Sequence, residues 1–317
     1  MDPIQTLFKP TALHIPDGFL NLPIALAFWA LSAALLSLAI QRTRGQLSER
    51  QIPLMGVMAA FIFAAQMINF PIAGGTSGHL LGGALVAIML GPWTGMLVMT
   101  TVIIVQALLF QDGGLLVMGA NIFNMGLLSA LIGYGLYQGA ANRNRGVRLA
   151  VAGVAAWLSV MAGALMTALQ LWLSGTSVLE FVIPAMLGVH TLIGLGEALI
   201  TAAVLAFIFQ TRPDLIEARS DSGSGRGWIL VGVLISLAVV LISPLASASP
   251  DGLERVAINL GFIDKEVNAP YQLLPDYTLP FLGETNLSTI LAGALGAAIV
   301  GILAISSILI LRHSKEN

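Results

Sequence analysis

The sequence predicts an all-α polytopic membrane protein with about nine transmembrane helices, its N-terminus outside and its C-terminus inside. Composition is the first reason, because 57% of the 317 residues are hydrophobic, 9% are charged and the mean hydropathy is +0.90. Soluble domains carry about 25% charged residues, so a water-soluble fold would leave too much apolar surface uncovered. The second reason is nine apolar stretches, most of them near the roughly 20 residues that a helix needs to cross the bilayer core.

Polar segments separate these nine stretches. The third stretch is short and ends before Pro92, so the loop before it has room to descend between the helices. Backbone of that kind is tolerated at membrane depth only where protein or a water-filled cavity surrounds it. A polar stretch at 250–287 separates the last two stretches. The predicted spans are 22–41, 52–70, 80–91, 93–110, 114–137, 149–173, 185–210, 228–247 and 289–311.

The basic residues set the predicted orientation, and they are the third reason for this topology. Eleven of the fourteen lysines and arginines follow the odd-numbered first, fifth, seventh and ninth spans. Cytoplasmic loops carry the excess of positive charge, so these segments are expected inside. The eleven are Arg42, Arg44, Arg50, Arg143, Arg145, Arg148, Arg212, Arg219, Arg226, Arg312 and Lys315.

Two of the four histidines are predicted to lie at the outer end of the bundle. His14 precedes the first span, and His79 follows a glycine-rich run between the second and third spans. Imidazole nitrogen suits Ni, Co, Cu and Zn, and the absence of cysteine excludes a thiolate site. A terminal amine and a backbone nitrogen beside His14 would complete a planar nitrogen set, which favours Ni(II) or Cu(II).

Several motifs in order resemble the CbiM/NikM family, the substrate-binding membrane components of energy-coupling factor (ECF) transporters for nickel and cobalt. The motif SPDGLE at 249–254, flanked by two spans, resembles the small PDGLE (NikN-type) accessory subunit, so the chain looks like a fusion of the two. The first set comprises HIPDGFL at 14–20, GGTSGHLLGG at 74–83, LGPW at 90–93, QALLFQDGGL at 106–115, GANIFNMG at 119–126 and HTLIGLGEALIT at 190–201.

The resemblance implies a division of the chain and a set of metal ligands. Residues 13–210 would form the metal-binding domain, 211–227 a cytoplasmic linker and 228–317 the accessory domain with its outer loop. The implied ligands are the rings of His14 and His79, the backbone nitrogen of His14 and an amine at position 13. Since Leu13 stands where the family has its initiator methionine, we expect translation to start there, or residues 1–12 to be removed.

Four further polar residues inside the spans are candidates for a supporting role. Gln106 and Asn124 are expected either to hydrogen bond between helices or to orient the ligating imidazoles. His190 and Glu197 lie seven residues apart on one face of the seventh span. A buried hydrogen-bonded pair or a helix-packing contact is favoured for them over a ligand role.

The resemblance implies an importer that captures Ni(II) or Co(II) outside and delivers it to the cytoplasm across a bacterial-type plasma membrane. No organic cofactor is expected, and imported cobalt would serve cobalamin biosynthesis. The chain has no GxxxxGK[ST] motif, so ATP hydrolysis is assigned to separate partners, two ATPase subunits and a transmembrane coupling subunit. The alternatives are a channel or metal sensor, and an intramembrane metalloenzyme using His79, His190 and Glu197, although no HExxH motif occurs.

Overall fold

The computed structural model describes residues 14–44, 51–216 and 227–313. Within these ranges the chain is helical apart from one short β-hairpin. Seven helical spans of the described residues are long and apolar enough to cross a membrane, and three of them combine α-helix with a π- or 3₁₀-helical segment. Two shorter apolar helices lie at the second and third predicted positions. The prediction of an all-α polytopic fold is therefore confirmed.

The elements follow one another in chain order, with the two strands between the second and third helices. They are α1 (Leu22–Thr43), α2 (Gln51–Gln66), β1 (Phe70–Ile72), β2 (Thr76–Gly78), α3 (Gly83–Leu90), α4 (Pro92–Val105), α5 (Met118–Asn121), α6 (Ser129–Gln138), α7 (Arg145–Leu173), α8 (Leu179–Thr211), α9 (Gly227–Ile242), α10 (Gly252–Leu260) and α11 (Asn286–His313).

Two π-helical segments interrupt the predicted fourth and fifth spans. Gln106–Phe110 continues α4, and Ile122–Leu128 joins α5 to α6. The fifth span begins at Met118, not at 114, because the preceding turns are irregular. Segments of π-helix inside α-helices are often found at functional sites.

Side-chain caps and turns account for other differences from the predicted bounds. The Asn144 side chain accepts a hydrogen bond from the backbone N–H of Val147, so α7 begins earlier than predicted. Helix α2 ends at Gln66, and the rest of the second predicted span turns into the hairpin of β1 and β2. These three-residue strands pair antiparallel, with Phe70 opposite Gly78.

Helix α2 packs against both α9 and α11, so it connects the first part of the chain with the last two long helices. Small residues allow a close approach of α2 and α11: a Cβ on Gly301 would lie 3.2 Å from the backbone oxygen of Gly56. Small residues let helices in membranes pack backbone to backbone. Helices α7 and α8 form a second long pair beside this group.

The stretch at 250–287 is not only a polar loop, as the sequence suggested. The Asp251 carboxylate accepts a hydrogen bond from the backbone N–H of Glu254, and the Glu254 carboxylate accepts one from the N–H of Asp251. This capping box starts the amphipathic helix α10. Backbone bonds from Ser77 to Pro250 and from Val267 to Asp17 attach the stretch to the first part of the chain.

Basic residues gather at the opposite end of the bundle. The guanidinium of Arg42 lies over Trp93, that of Arg148 over Phe209 and that of Arg212 over Trp228. These basic side chains therefore share one end of the bundle, as the predicted orientation requires. The orientation across the membrane stays a prediction, as do the domain boundaries, and the linker falls mostly outside the described residues.

Candidate metal site

His14 is held in the bundle by the helix that follows the first π-segment. The Asn121 side chain accepts a hydrogen bond from the N–H of Ile15 at 3.1 Å and donates one to its carbonyl at 3.0 Å. The Asp17 carboxylate accepts hydrogen bonds from three successive backbone N–H groups, which start at Leu115. The His14 side chain is consequently buried, with the residue only 3% exposed.

His79 is placed by the hairpin and by the start of α3. Gly74 and Gly75 take positive φ values of 78° and 67° at the hairpin turn, a conformation that suits glycine. After His79, the Glu197 carboxylate accepts hydrogen bonds from the backbone N–H groups of Leu81 and Gly82 at 2.6 and 2.9 Å. The loop therefore descends into protein, as predicted, and His79 is 7% exposed.

The two predicted ligands come together in one small cavity. The imidazole rings of His14 and His79 lie 5.5 Å apart between centroids and are nearly perpendicular, at 85°. The cavity has a volume of about 70 Å³, and His190, Asn124 and Asp251 also line it. This is room for an ion and a few ligand atoms, not for an organic substrate of ordinary size.

The Nδ1 atom of each ring lies within hydrogen-bond distance of a backbone carbonyl oxygen. The Nδ1 atom of His14 lies 3.1 Å from the backbone oxygen of Asp112, and that of His79 lies 3.0 Å from the backbone oxygen of Leu80. Because a carbonyl oxygen only accepts, each of these contacts is a hydrogen bond when Nδ1 carries a proton. The Nε2 atom of His14 is buried without a hydrogen-bond partner among the described residues.

Asp251 lines the cavity and lies near two further acidic residues, Glu254 and Asp112. Burial raises the pKa of Asp251 well above its usual range, and the carboxylates of Glu254 and Asp112 raise it further. A cation in the cavity would oppose this effect, because it favours the ionised carboxylate. The charge of Asp112 in the first part of the chain therefore acts on Asp251 at the start of α10.

Among the described residues, no group of three or more His, Asp or Glu side chains is arranged to hold a metal ion. His14 and His79 stay the two predicted side-chain ligands within these ranges. The third predicted position, Leu13, lies outside the described residues, as does the predicted extension at 1–12.

The two proposed supporting residues differ in their relation to the histidines. Asn124 lines the cavity but hydrogen bonds with Thr167 and Gln170 of α7, so its bonds join helices. Gln106 donates to the Tyr277 hydroxyl at 3.1 Å, and Tyr277 contacts Asp112, the partner of His14. Gln106 is thus connected to the His14 ring through two intermediates.

A hydrogen-bonded pair or a helix-packing contact was favoured for His190 and Glu197, and of these two alternatives the structure does not show the pair. His190 Nδ1 lies 2.8 Å from the backbone oxygen of Met186, and Glu197 holds the start of α3, so the described hydrogen bonds include none between the two. Seven residues of helix rise about 10.5 Å, too far for a direct bond. His190 lines the cavity, whereas Glu197 makes a helix-packing contact.

Sequence reasoning missed Asp112 and Tyr277. Asp112 lies within the motif QALLFQDGGL, so its place in a motif was the available signal. Tyr277 lies in the polar stretch, about 165 residues further along the chain, and no sequence pattern links it to the histidines.

Residues 14–215 match the family model of the cobalt uptake substrate-specific transmembrane region, CbiM. The chain belongs to the CbiM family. Residues 226–313 match the PDGLE domain model. The resemblance of the first part to CbiM/NikM proteins and of the second to a PDGLE accessory subunit is therefore confirmed.

Relatives carry names from nickel and from cobalt transport. A putative fused nickel transport protein NikMN of Archaeoglobus fulgidus is 40% identical over 298 residues, covering 91% of this chain and 95% of the relative. A cobalt transport protein CbiM of Sorangium cellulosum is 34% identical and covers 65% of this chain and 95% of the relative. The CbiM family is one of metal transport components, not of enzymes.

A solved structure supports the same membership. The crystal structure of a truncated transition metal transporter is 32% identical, with a TM-score of 0.56, and the match covers 62% of this chain and 98% of that chain. The shared region is thus about the length of the CbiM match, which leaves the PDGLE segment beyond it.

Proposed function

We propose that this chain is the substrate-specific component of an ECF-type importer that captures Ni(II) or Co(II) at the outer face of a plasma membrane. The observation that carries the proposal is the pair of buried imidazoles of His14 and His79, 5.5 Å apart in one cavity. Borderline metals favour imidazole nitrogen. An amine at position 13 would be a third nitrogen ligand.

Nickel is the favoured substrate. A relative that covers 91% of this chain is named as a putative fused nickel transport protein. The Sorangium cobalt transport relative covers 65% of the chain. A planar nitrogen set also favours Ni(II). If cobalt is the substrate instead, the imported metal would supply cobalamin biosynthesis.

Transport across the bilayer requires partners in this proposal. A transmembrane coupling subunit and two ATPase subunits would supply the energy, because the sequence has no P-loop motif. The basic residues gathered at the end of the bundle away from the histidines would face those subunits.

Binding by the purified full-length chain tests the ligand assignment. We expect His79→Ala to lose tight nickel and cobalt binding by more than the roughly tenfold to hundredfold cost of a lost supporting hydrogen bond. His313→Ala is the matched control, because His313 ends α11 at the opposite end from the cavity. Isothermal titration measures both, and submicromolar binding by His79→Ala would refute the assignment.

The amine at position 13 has a separate test. Intact mass and an N-terminal peptide of the native chain, with elemental analysis of the bound metal, show where the protein begins and what it carries. A chain that begins at position 13 and holds nickel supports the amine ligand. A metal-loaded chain that begins at Met1 removes the amine from the proposal and leaves the two histidines.

A further inference from the structure

A second small cavity lies at the basic end of the bundle, where the end of α1 meets the turn between α3 and α4. Its volume is about 210 Å³. A single water molecule needs only about 10–15 Å³, and pockets for organic ligands usually measure about 300–1,000 Å³. The size therefore suits a small polyatomic group. The lining residues are Arg42, Thr43, Gln51, Leu90, Gly91, Pro92, Trp93 and Thr94.

The first turn of α4 offers two backbone donors beside this cavity. Pro92 has no N–H, and the N–H of Gly95 donates to the oxygen of Gly91 at 2.9 Å. Gly91 stands at the N-cap position and has no side chain that could cap the helix. No side chain in the described ranges caps the N–H groups of Trp93 and Thr94. A helix N-terminus with such donors carries partial positive charge and attracts anions.

Buried threonine hydroxyls point to a ligand independently of the helix end. Thr43 is the last residue of α1, lines the cavity and is 3% exposed. Its Oγ1 atom is buried and has no hydrogen-bond partner in the part of the chain that the structure describes. Thr94 lines the same cavity and is 7% exposed. Buried polar atoms without a partner are uncommon, and a ligand in the cavity would supply the partner of Thr43.

Arg42 decides the charge of that ligand. Its guanidinium lies 6.0 Å from the centroid of the Trp93 ring, and it is the one charged side chain among the described residues that line the cavity. Because no described carboxylate lines the cavity, a cation would meet only repulsion from Arg42. The planar fork of guanidinium N–H groups matches the oxygens of a phosphate or a carboxylate.

The position of the cavity favours a phosphate group. Tryptophan is enriched where the bilayer meets water, so Trp93 indicates the depth of the lipid headgroups. This end of the bundle is the one predicted to face the cytoplasm. Anionic phospholipids attract basic side chains at the cytoplasmic leaflet.

We propose that the junction of α1, α3 and α4 binds a phosphate group, either in the headgroup of an anionic phospholipid or as free phosphate. The phosphate oxygens accept hydrogen bonds from the guanidinium of Arg42, from the hydroxyl of Thr43 and from the first backbone N–H groups of α4. The site is separate from the histidine cavity, and the inference does not rest on the proposed function.

Lipid retention by the full-length chain tests the charged donor. The chain is placed in nanodiscs of phosphatidylcholine and phosphatidylglycerol, and native mass spectrometry measures the phosphatidylglycerol that stays bound after release. We expect Arg42→Ala to retain about tenfold less than the unaltered chain, the cost of losing a hydrogen bond to a charged group. Arg44→Ala is the matched control, because Arg44 is exposed, follows α1 and removes the same charge without lining the cavity.

Equal retention by Arg42→Ala and Arg44→Ala would overturn the proposal, since surface charge alone would then account for the attraction. Thr43→Val is a second variant that keeps the shape of the side chain and the charge of the protein. We expect it to weaken retention severalfold. Thr101→Val is its control, because the Thr101 hydroxyl donates to the backbone oxygen of Leu97 within α4. Equal retention by these two variants would also contradict the site.

Inorganic phosphate distinguishes the two sources of the ligand. The lipid-free chain in detergent is titrated with sodium phosphate, with sodium chloride at equal ionic strength as the control, and its melting temperature is measured. A rise that depends on Arg42 and Thr43 assigns the site to free phosphate. Retention of phosphatidylglycerol without such a rise assigns it to the lipid headgroup. If neither retention nor a rise depends on these two residues, the proposal is refuted.

Discussion

At the residue scale, carboxylates in this protein act mainly by holding backbone around the candidate site. Asp17 accepts from three successive N–H groups and fixes the segment that begins at Leu115. Glu197 does the same for the segment after His79. A carboxyl group offers two acceptor oxygens, so each of these side chains can hold more than one backbone N–H of a loop in place.

Glu197→Gln is predicted to lower the stability of the fold and to have only a small effect on metal affinity. A glutamine has one acceptor oxygen, so one of the N–H groups of Leu81 and Gly82 would lose its partner at a cost of about 1–3 kcal/mol. Thermal unfolding in detergent should show a lower melting temperature, and nickel affinity should fall far less than in His79→Ala. Glu180→Gln is the control, since Glu180 is exposed in the first turn of the same helix. Equal melting temperatures for the two variants would contradict the assignment.

At the element scale, the site is built where helices depart from regular geometry. The first π-segment ends at Phe110, and Gln111 follows with a positive φ of 56°, which directs Asp112 towards His14. The second π-segment contains Asn124, which lines the cavity. Helix α3 is short and starts after Gly82 in the left-handed conformation, so the loop with His79 reaches the interior. The sequence predicted this descent from the length of the span, but hydropathy carries no signal for the π-segments.

Helix α3 is also predicted to depend on a close contact at its first residue. A Cβ on Gly83 would lie 2.5 Å from the backbone oxygen of Met125 and 2.6 Å from Oγ of Ser129. Gly83→Ala should therefore destabilise the protein by about 1–3 kcal/mol, the usual cost of overpacking. Gly135→Ala in α6 is the control, because open space surrounds Gly135. Its better helix propensity should leave stability unchanged or raise it by at most about 1 kcal/mol. Reversible unfolding in detergent measures both, and equal stabilities would contradict the packing account.

At the scale of the whole molecule, the PDGLE segment is part of the bundle. Its helices α9 and α11 pack against α2, and α10 and Tyr277 approach the histidine cavity. The stretch at 250–287 and the cavity of His14 and His79 lie at one end, and most of the described basic residues lie at the other. This polarity of the bundle is the property on which the transport proposal depends.

The predicted orientation can be measured with single cysteines, since the chain has no cysteine of its own. Leu273→Cys places a thiol in the exposed outer stretch, and Asn142→Cys places one in the exposed loop before α7. A membrane-impermeant maleimide added to intact cells should label Leu273→Cys, whereas Asn142→Cys should react only after the membrane is permeabilised. The reverse pattern would invert the topology and place the histidines inside.

The sequence by itself determined the features that depend on local composition and on motif. Apolar stretches of near-bilayer length predicted the helices, and ordered motifs identified both the CbiM-like and the PDGLE-like parts, including His14 and His79. These signals can be read from the sequence alone because the bilayer dictates the polarity and length of each span. Only the tertiary structure decided which distant residues meet. Asp112 and Tyr277 are far apart in the chain but form a hydrogen bond. His190 and Glu197 lie on one face of α8, but their side chains bond to different parts of the protein. Such contacts arise from the packing of helices and loops in space, and hydropathy or spacing along the chain does not encode them.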